Sequence, residues 1–150
     1  MKCLEDDSKD FLFMRLTIIP ILEEGVSGHA NIIIFDKDNG ILERFEPHGN
    51  IPFLEIKKLD NIIKEKIGPI FQEYLDKNNK KLKYITPFDY ESGIGIQTVS
   101  NEYEMHVKKL SDPGGFCLAW AYWYLEMRMK NKNIDPKKMI SDVYKKIIDK

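Results

Sequence analysis

The segments His29-Ala-Asn-Ile-Ile-Ile-Phe-Asp36, Lys37-Asp-Asn-Gly40 and Ile41-Leu-Glu-Arg-Phe-Glu46 decide how this chain is read. The first is β-branched and apolar without alternation, the pattern of a strand covered on both faces. The second is strong turn chemistry, and the third returns as a partner strand, so the two strands form a hairpin. Its register matters. A two-residue turn at Asn39-Gly40 would set position 46 opposite 33 and leave Glu46 about 13 Å from His29, four residues at ~3.3 Å each. A longer turn or a bulge would bring the two side chains together.

Upstream, residues 11–22 read as a strand ending near Pro20, and residues 23–28 as a turn. Downstream, Leu59, Ile62, Ile63, Ile67, Ile70, Phe71 and Tyr74 fall at helical spacing, with a kink expected at Gly68-Pro69. Residues 82–87 and 95–100 read as short strands. Gly114-Gly115 opens an apolar run, residues 116–129, expected to be a helix buried nearly all round. Asp135-Pro136 then starts a last helix reaching residue 148, with Asp as cap and Pro in the first turn. The order implies a mixed sheet packed on a central buried helix.

With 150 residues, 43% apolar and 31% charged, the chain fits one globular domain, residues 1–150. A net charge of -1 offers no general attraction for nucleic acid. Cys3 and Cys117 do not make a disulfide framework, which points to a reducing compartment. Residues 1–10 carry acids and no signal-type apolar run, and no stretch is long enough for a membrane span. The expectation is a soluble intracellular protein without nucleic-acid or membrane partners.

Cys117 follows two glycines at a helix start, where free amides and the helix dipole favour a thiolate; the other reading is a small core residue. His29 opens the central strand and is either a general base toward a thiol or an ordinary strand-end imidazole. Glu46 either orients that imidazole or pairs at the rim with Arg44. Gln97 is either an oxyanion donor or a surface amide. His48 and His106 lack zinc-site spacing, and no phosphate loop or dinucleotide fingerprint is present, so neither metal nor cofactor is expected. Trp120, Tyr122, Trp123 and Tyr124 read as helix-packing aromatics.

In order and spacing, His29 through Asp36 with Phe45-Glu-Pro-His-Gly49 resembles the His-to-acid hairpin of the adenovirus endopeptidase and SUMO-protease superfamily. There too the acid follows the histidine by seventeen residues, as Glu46 follows His29. Arg44 to Gly49 and Gly114 to Trp120 also resemble uncharacterised proteins of large DNA viruses. The resemblance implies an α+β, circularly permuted papain-like fold. It also implies a cysteine peptidase or isopeptidase with Cys117 as nucleophile, His29 as base, Glu46 as orienting acid and Gln97 at the oxyanion. Its substrate would be a protein, ubiquitin or a ubiquitin-like conjugate. The chain departs from the family pattern at three points, and two of them, Pro113 and Ala30, motivate a second reading, a catalytically inactive member of the fold that binds proteins. Pro113 stands near the family's cysteine position, Gln97 lies twenty residues before Cys117, and Ala30 replaces the usual tryptophan. An acyltransferase on a similar fold is a third.

Overall fold

The structure is a computed structural model, described here for residues 4–6, 8–19, 28–49, 55–90, 95–99 and 116–148. Four strands form one mixed sheet in the order β1-β2-β3-β4: β1 (Phe11–Ile18), β2 (His29–Asp36), β3 (Ile41–Phe45) and β4 (Lys83–Ile85). β1 and β3 flank β2 antiparallel, and β4 runs parallel to β3.

The turn between β2 and β3 is the longer kind. Asp36 pairs with Ile41, so residues 37–40 make the loop. Asp36 Oδ1 accepts from the Asn39 amide at 3.0 Å, and Gly40 closes the turn at φ +63°, a left-handed conformation that favours glycine. Ile32 therefore pairs with Phe45, and Glu46 comes opposite Asn31 one step further on.

The parallel crossover from β3 to β4 runs through helices α1 (Ile56–Ile62) and α2 (Gly68–Asp76), joined by a π-helical turn at Ile63–Ile67. Pro69 has no N–H for the ladder, and the Gly68 amide bonds Ile63 five residues back. The expected kink is thus a widened turn rather than a break. Ile63, Phe71 and Leu75 pack on Ile33, Phe35 and Leu42, the face of the sheet that also carries His29 and Asn31. The opposite face, Ile32, Ile34 and Phe45, is covered by α3 (Cys117–Lys130) and α4 (Pro136–Ile148) through Ala121, Tyr124, Leu125, Met139 and Ile140. Burying a side chain of this size contributes ~1.5–3 kcal/mol. The full coverage of Ile32, Ile33, Ile34 and Phe35 is what makes β2 the centre of the domain.

The mixed sheet with helices is as expected in outline, but three elements differ. Helix α3 is amphipathic in burial: Tyr122 and Met129 are exposed while Ala121, Tyr124 and Arg128 are buried. Residues 96–99 form a helical turn, not a strand. The sheet is covered by helices on both faces, so α3 is one layer and not a central core helix. The expected turn at 23–28 and strand end at Pro20 lie wholly or largely outside the described residues, as do Cys3, His106, Pro113 and Gly114-Gly115. Asp135 caps α4 as read, its Oδ1 accepting from the Lys137 amide at 2.9 Å.

Strand β3 carries a buried charge toward each helical layer. Glu43 accepts from Arg128 Nε at 2.6 Å and from the hydroxyls of Tyr90 and Tyr124 at 2.7 Å each. Arg128 also reaches Asp36 at 3.3 Å. Arg44, on the other face, donates to both oxygens of Asp60 at 2.8 and 2.9 Å. Burial alone would lower the Arg128 guanidinium, but the charge and hydrogen bond of Glu43, with Tyr124 and Asp36, together leave it raised. Burial, followed by the Glu43 charge, holds the Tyr90 and Tyr124 phenols well above their usual range.

Removing the carboxylate with Glu43→Ala leaves the buried Arg128 guanidinium with Asp36 at 3.3 Å in place of its 2.6 Å partner and is expected to cost up to ~3–5 kcal/mol in urea unfolding; a loss below ~1 kcal/mol would show the network to be unimportant. A pH dependence follows as well. Below about pH 10 both states keep the tyrosine protons; above it the unfolded chain loses them first. Stability should then fall with rising pH, by as much as ~1.4 kcal/mol per unit for each such tyrosine. Urea midpoints at pH 9 and pH 11 check this, with Tyr90→Phe expected to flatten the decline.

Candidate functional site

The end of β2 gathers most of the residues singled out in the sequence. Because Glu46 falls opposite Asn31, it lies diagonally across from His29 on the same face, within side-chain reach. The His29 ring nitrogen Nε2 and Glu46 Oε1 are hydrogen-bonded. Glu46 is held on every side: Asn31 Nδ2 donates to Oε2 at 2.8 Å, and the His48 amide donates to Oε1 at 2.9 Å. Arg44 Nη1 lies 3.7 Å from Oε2 and donates to Asn31 Oδ1 at 2.5 Å.

Behind this pair runs a continuous polar chain. Arg44 ties Asn31 and Glu46 to Asp60 on α1, and Tyr84 on β4 donates to Asp60 Oδ1 at 2.7 Å. Burial would lower the Arg44 guanidinium, but the hydrogen bond and charge of Asp60 prevail and raise it. Burial and then the Asp60 charge raise the Tyr84 phenol. Asn31, Arg44, Asp60 and Tyr84 were not read as site residues from the sequence. The available signal was Asn31 inside an apolar strand and Arg44 inside its partner, since buried polar groups require partners.

Gln97 is buried and joins the same region through backbone. Its amide donates to Pro47 O at 3.0 Å, and the Gly95 amide donates to His48 O at 3.2 Å. Thr98 Oγ1 adds a bond to His48 O at 3.1 Å. The rings of His29 and His48 meet edge to face with centroids 5.5 Å apart.

Cys117 meets the same strand end through the Ala30 backbone. It heads α3 and is buried at 8% exposure, and its Sγ accepts the Ala30 amide at 3.4 Å. Among the described residues no hydrogen bond joins Cys117 to His29. The structure thus forms the His29–Glu46 pair, fixes Gln97 beside it, and gives the thiol a backbone partner. Among the described residues no cluster of three or more His, Cys, Asp or Glu side chains can hold a metal ion, and no helix is long and apolar enough to cross a membrane.

The chain is similar to an ankyrin repeat protein of Acanthamoeba polyphaga mimivirus, 33% identical over 144 residues. The match covers 93% of this chain and 18% of that protein, so the chain spans less than a fifth of its relative's length. No family model matches the chain, and no solved structure matches it. These findings correct the expected kinship with the adenovirus endopeptidase and SUMO-protease superfamily, and with it the thiol peptidase activity: the relative is an ankyrin repeat protein, and no peptidase family is matched. The matched segment here is a mixed sheet with flanking helices, not a stack of helix pairs.

Gly95 is the tightest point of the site. A Cβ there would lie 2.1 Å from the His48 carbonyl carbon. Gly95→Ala should therefore push residues 95–97 off the Pro47-His48 segment and destabilise the fold by roughly 1–3 kcal/mol or more. Thermal unfolding together with amide exchange at Gln97 measures it; an unchanged melting temperature with a protected Gln97 amide would contradict the packing described.

Proposed function

We propose that this chain is a non-catalytic protein-binding module. In this reading the mixed sheet and the cysteine-headed helix keep a circularly permuted papain-like arrangement, and His29, Glu46, Gln97 and Cys117 belong to the contact region. The observation that carries it is the similarity, across 93% of the chain, to an ankyrin repeat protein. Repeat arrays of that kind present extended concave binding surfaces, and a unit carried in such a chain fits a role in recognition. The polar chain from Tyr84 through Arg44 to Glu46 supplies rigidity, holding His29 in one orientation at the end of β2. A preorganised side chain loses less freedom on association. A ubiquitin-like protein is the specific partner to try first.

Two measurements on the Cys3→Ser protein test the proposal. Iodoacetamide at neutral pH should label Cys117 slowly in the folded chain and rapidly once urea unfolds it. A fluorogenic ubiquitin C-terminal amide should not be turned over. Turnover that disappears in Cys117→Ala would overturn the non-catalytic reading. Titration of the isotope-labelled chain with ubiquitin should shift resonances around His29 and His48, and His29→Ala should weaken that binding about tenfold; spectra unmoved by saturating ubiquitin would dismiss ubiquitin as the partner.

A further inference from the structure

The outer edge of β1 points to self-association, independently of the function proposed above: we infer that two copies of this chain pair their β1 strands antiparallel across a two-fold axis, extending the sheet from four strands to eight. β1 lies at the end of the sheet, and among the described residues no strand pairs with its outer side. Its pairing with β2 runs unbroken from Phe11 to Ile18, with no bulge to twist the edge away. Edge strands are normally blunted by Pro, Lys, bulges or short length. The segment Phe11-Leu-Phe-Met-Arg-Leu-Thr-Ile18 has no Pro, Lys or bulge and is eight residues long; Arg15 is its one charged residue. Phe13 and Met14 are 52% and 38% exposed, and Arg15 and Thr17 are also exposed.

Geometry restricts how two such edges can meet. Residues directly opposite in a regular antiparallel ladder must both point their amides inward or both outward, so a two-fold pairing is centred on one residue facing itself. Three centres are available near the middle of β1. Centring on Phe13 leaves much of the strand unpaired. Centring on Arg15 sets two guanidinium groups opposite each other, and like charges there are destabilising. Centring on Met14 pairs Phe11 with Thr17, Leu12 with Leu16 and Phe13 with Arg15 of the second copy. A two-fold axis perpendicular to the sheet keeps each face continuous, so Arg15 comes beside the Phe13 ring of the other chain on one face. Leu12 meets Leu16 on the other. An arginine against an aromatic ring is a favourable contact; centring on Phe13 makes it too, between Phe11 and Arg15, but pairs five residues where centring on Met14 pairs seven. That complementarity commits the edge to a second copy of the chain rather than to a foreign strand.

Sedimentation equilibrium of the full chain provides the test. The wild type is expected as a dimer of 17.6 kDa protomers at micromolar concentration. Met14→Glu places two acids at the axis and Met14→Lys two ammonium groups, and each should raise the dissociation constant at least tenfold while leaving the circular dichroism spectrum unchanged. An equimolar mixture of the two variants should restore the dimer, because opposite charges then face each other at the axis. A monomeric wild type at 100 μM overturns the proposal. So does a Met14→Glu protein that dimerises as well as the wild type, or folded variants whose mixture stays monomeric, which would remove the register argued here.

Discussion

Two adjacent residues of β3 hold the three layers together. Glu43 and Arg44 are consecutive in a strand, so they point to opposite faces of the sheet, and both are fully buried. Each meets an opposite charge from a different helical layer, Arg128 on α3 and Asp60 on α1. A buried ion pair is a weak source of net stability, because desolvation offsets much of the attraction, but a missing partner is costly. The pair of bridges therefore acts on arrangement. Moving β3 by one residue would turn Glu43 toward Asp60 and Arg44 toward Arg128, placing like charges together on both faces. The hydrophobic residues around them would tolerate such a slip more readily, since β2 is apolar on both sides. Charge fixes what the isoleucines of β2 leave undetermined.

Much of this fold was legible in local chemistry. The His29–Asp36 strand, the 37–40 turn and the Asp135-capped helix are decided by a few residues each, and the structure has them where those residues place them. The failures came where the deciding interaction is distant. Residues 95–99 contain Ile, Val and Thr and look like a strand, yet their geometry is set by backbone bonds to Pro47 and His48, far away in sequence. Helix α3 looked apolar all round because Trp120, Tyr122, Trp123 and Met129 count as hydrophobic, while Arg128, its most deeply buried charge, marks the inward face. Only the position of Glu43 explains why an arginine points inward, and no local pattern contains that information.

The site shows the same division. Its histidine and acid were legible as a pair, and the four-residue turn supplied the register that joins them. The supporting residues were invisible because Asn31, Arg44, Asp60 and Tyr84 come from four elements and share only a hydrogen-bond chain. Function was the poorest inference of all. The motif of histidine, acid and cysteine suggested peptidase chemistry, whereas the relative that matches nearly the whole chain is an ankyrin repeat protein.

The reason the motif misled can be found in how β3 ends. Pro47 has no N–H and cannot continue the ladder, so β3 leaves the sheet at Phe45, opposite Ile32. Glu46 is released from strand geometry at that point and bends to His29. The same departure leaves residues 29–31 of β2 without a β3 neighbour, and a buried amide there still needs an acceptor. The Ala30 amide finds the Cys117 sulfur. A histidine, a carboxylate and a helix-leading cysteine are thus brought together by the way one strand terminates, each satisfying a structural requirement of the others' surroundings. Proximity of those three residue types follows from the architecture, in which the thiol takes the backbone amide of the residue next to the histidine.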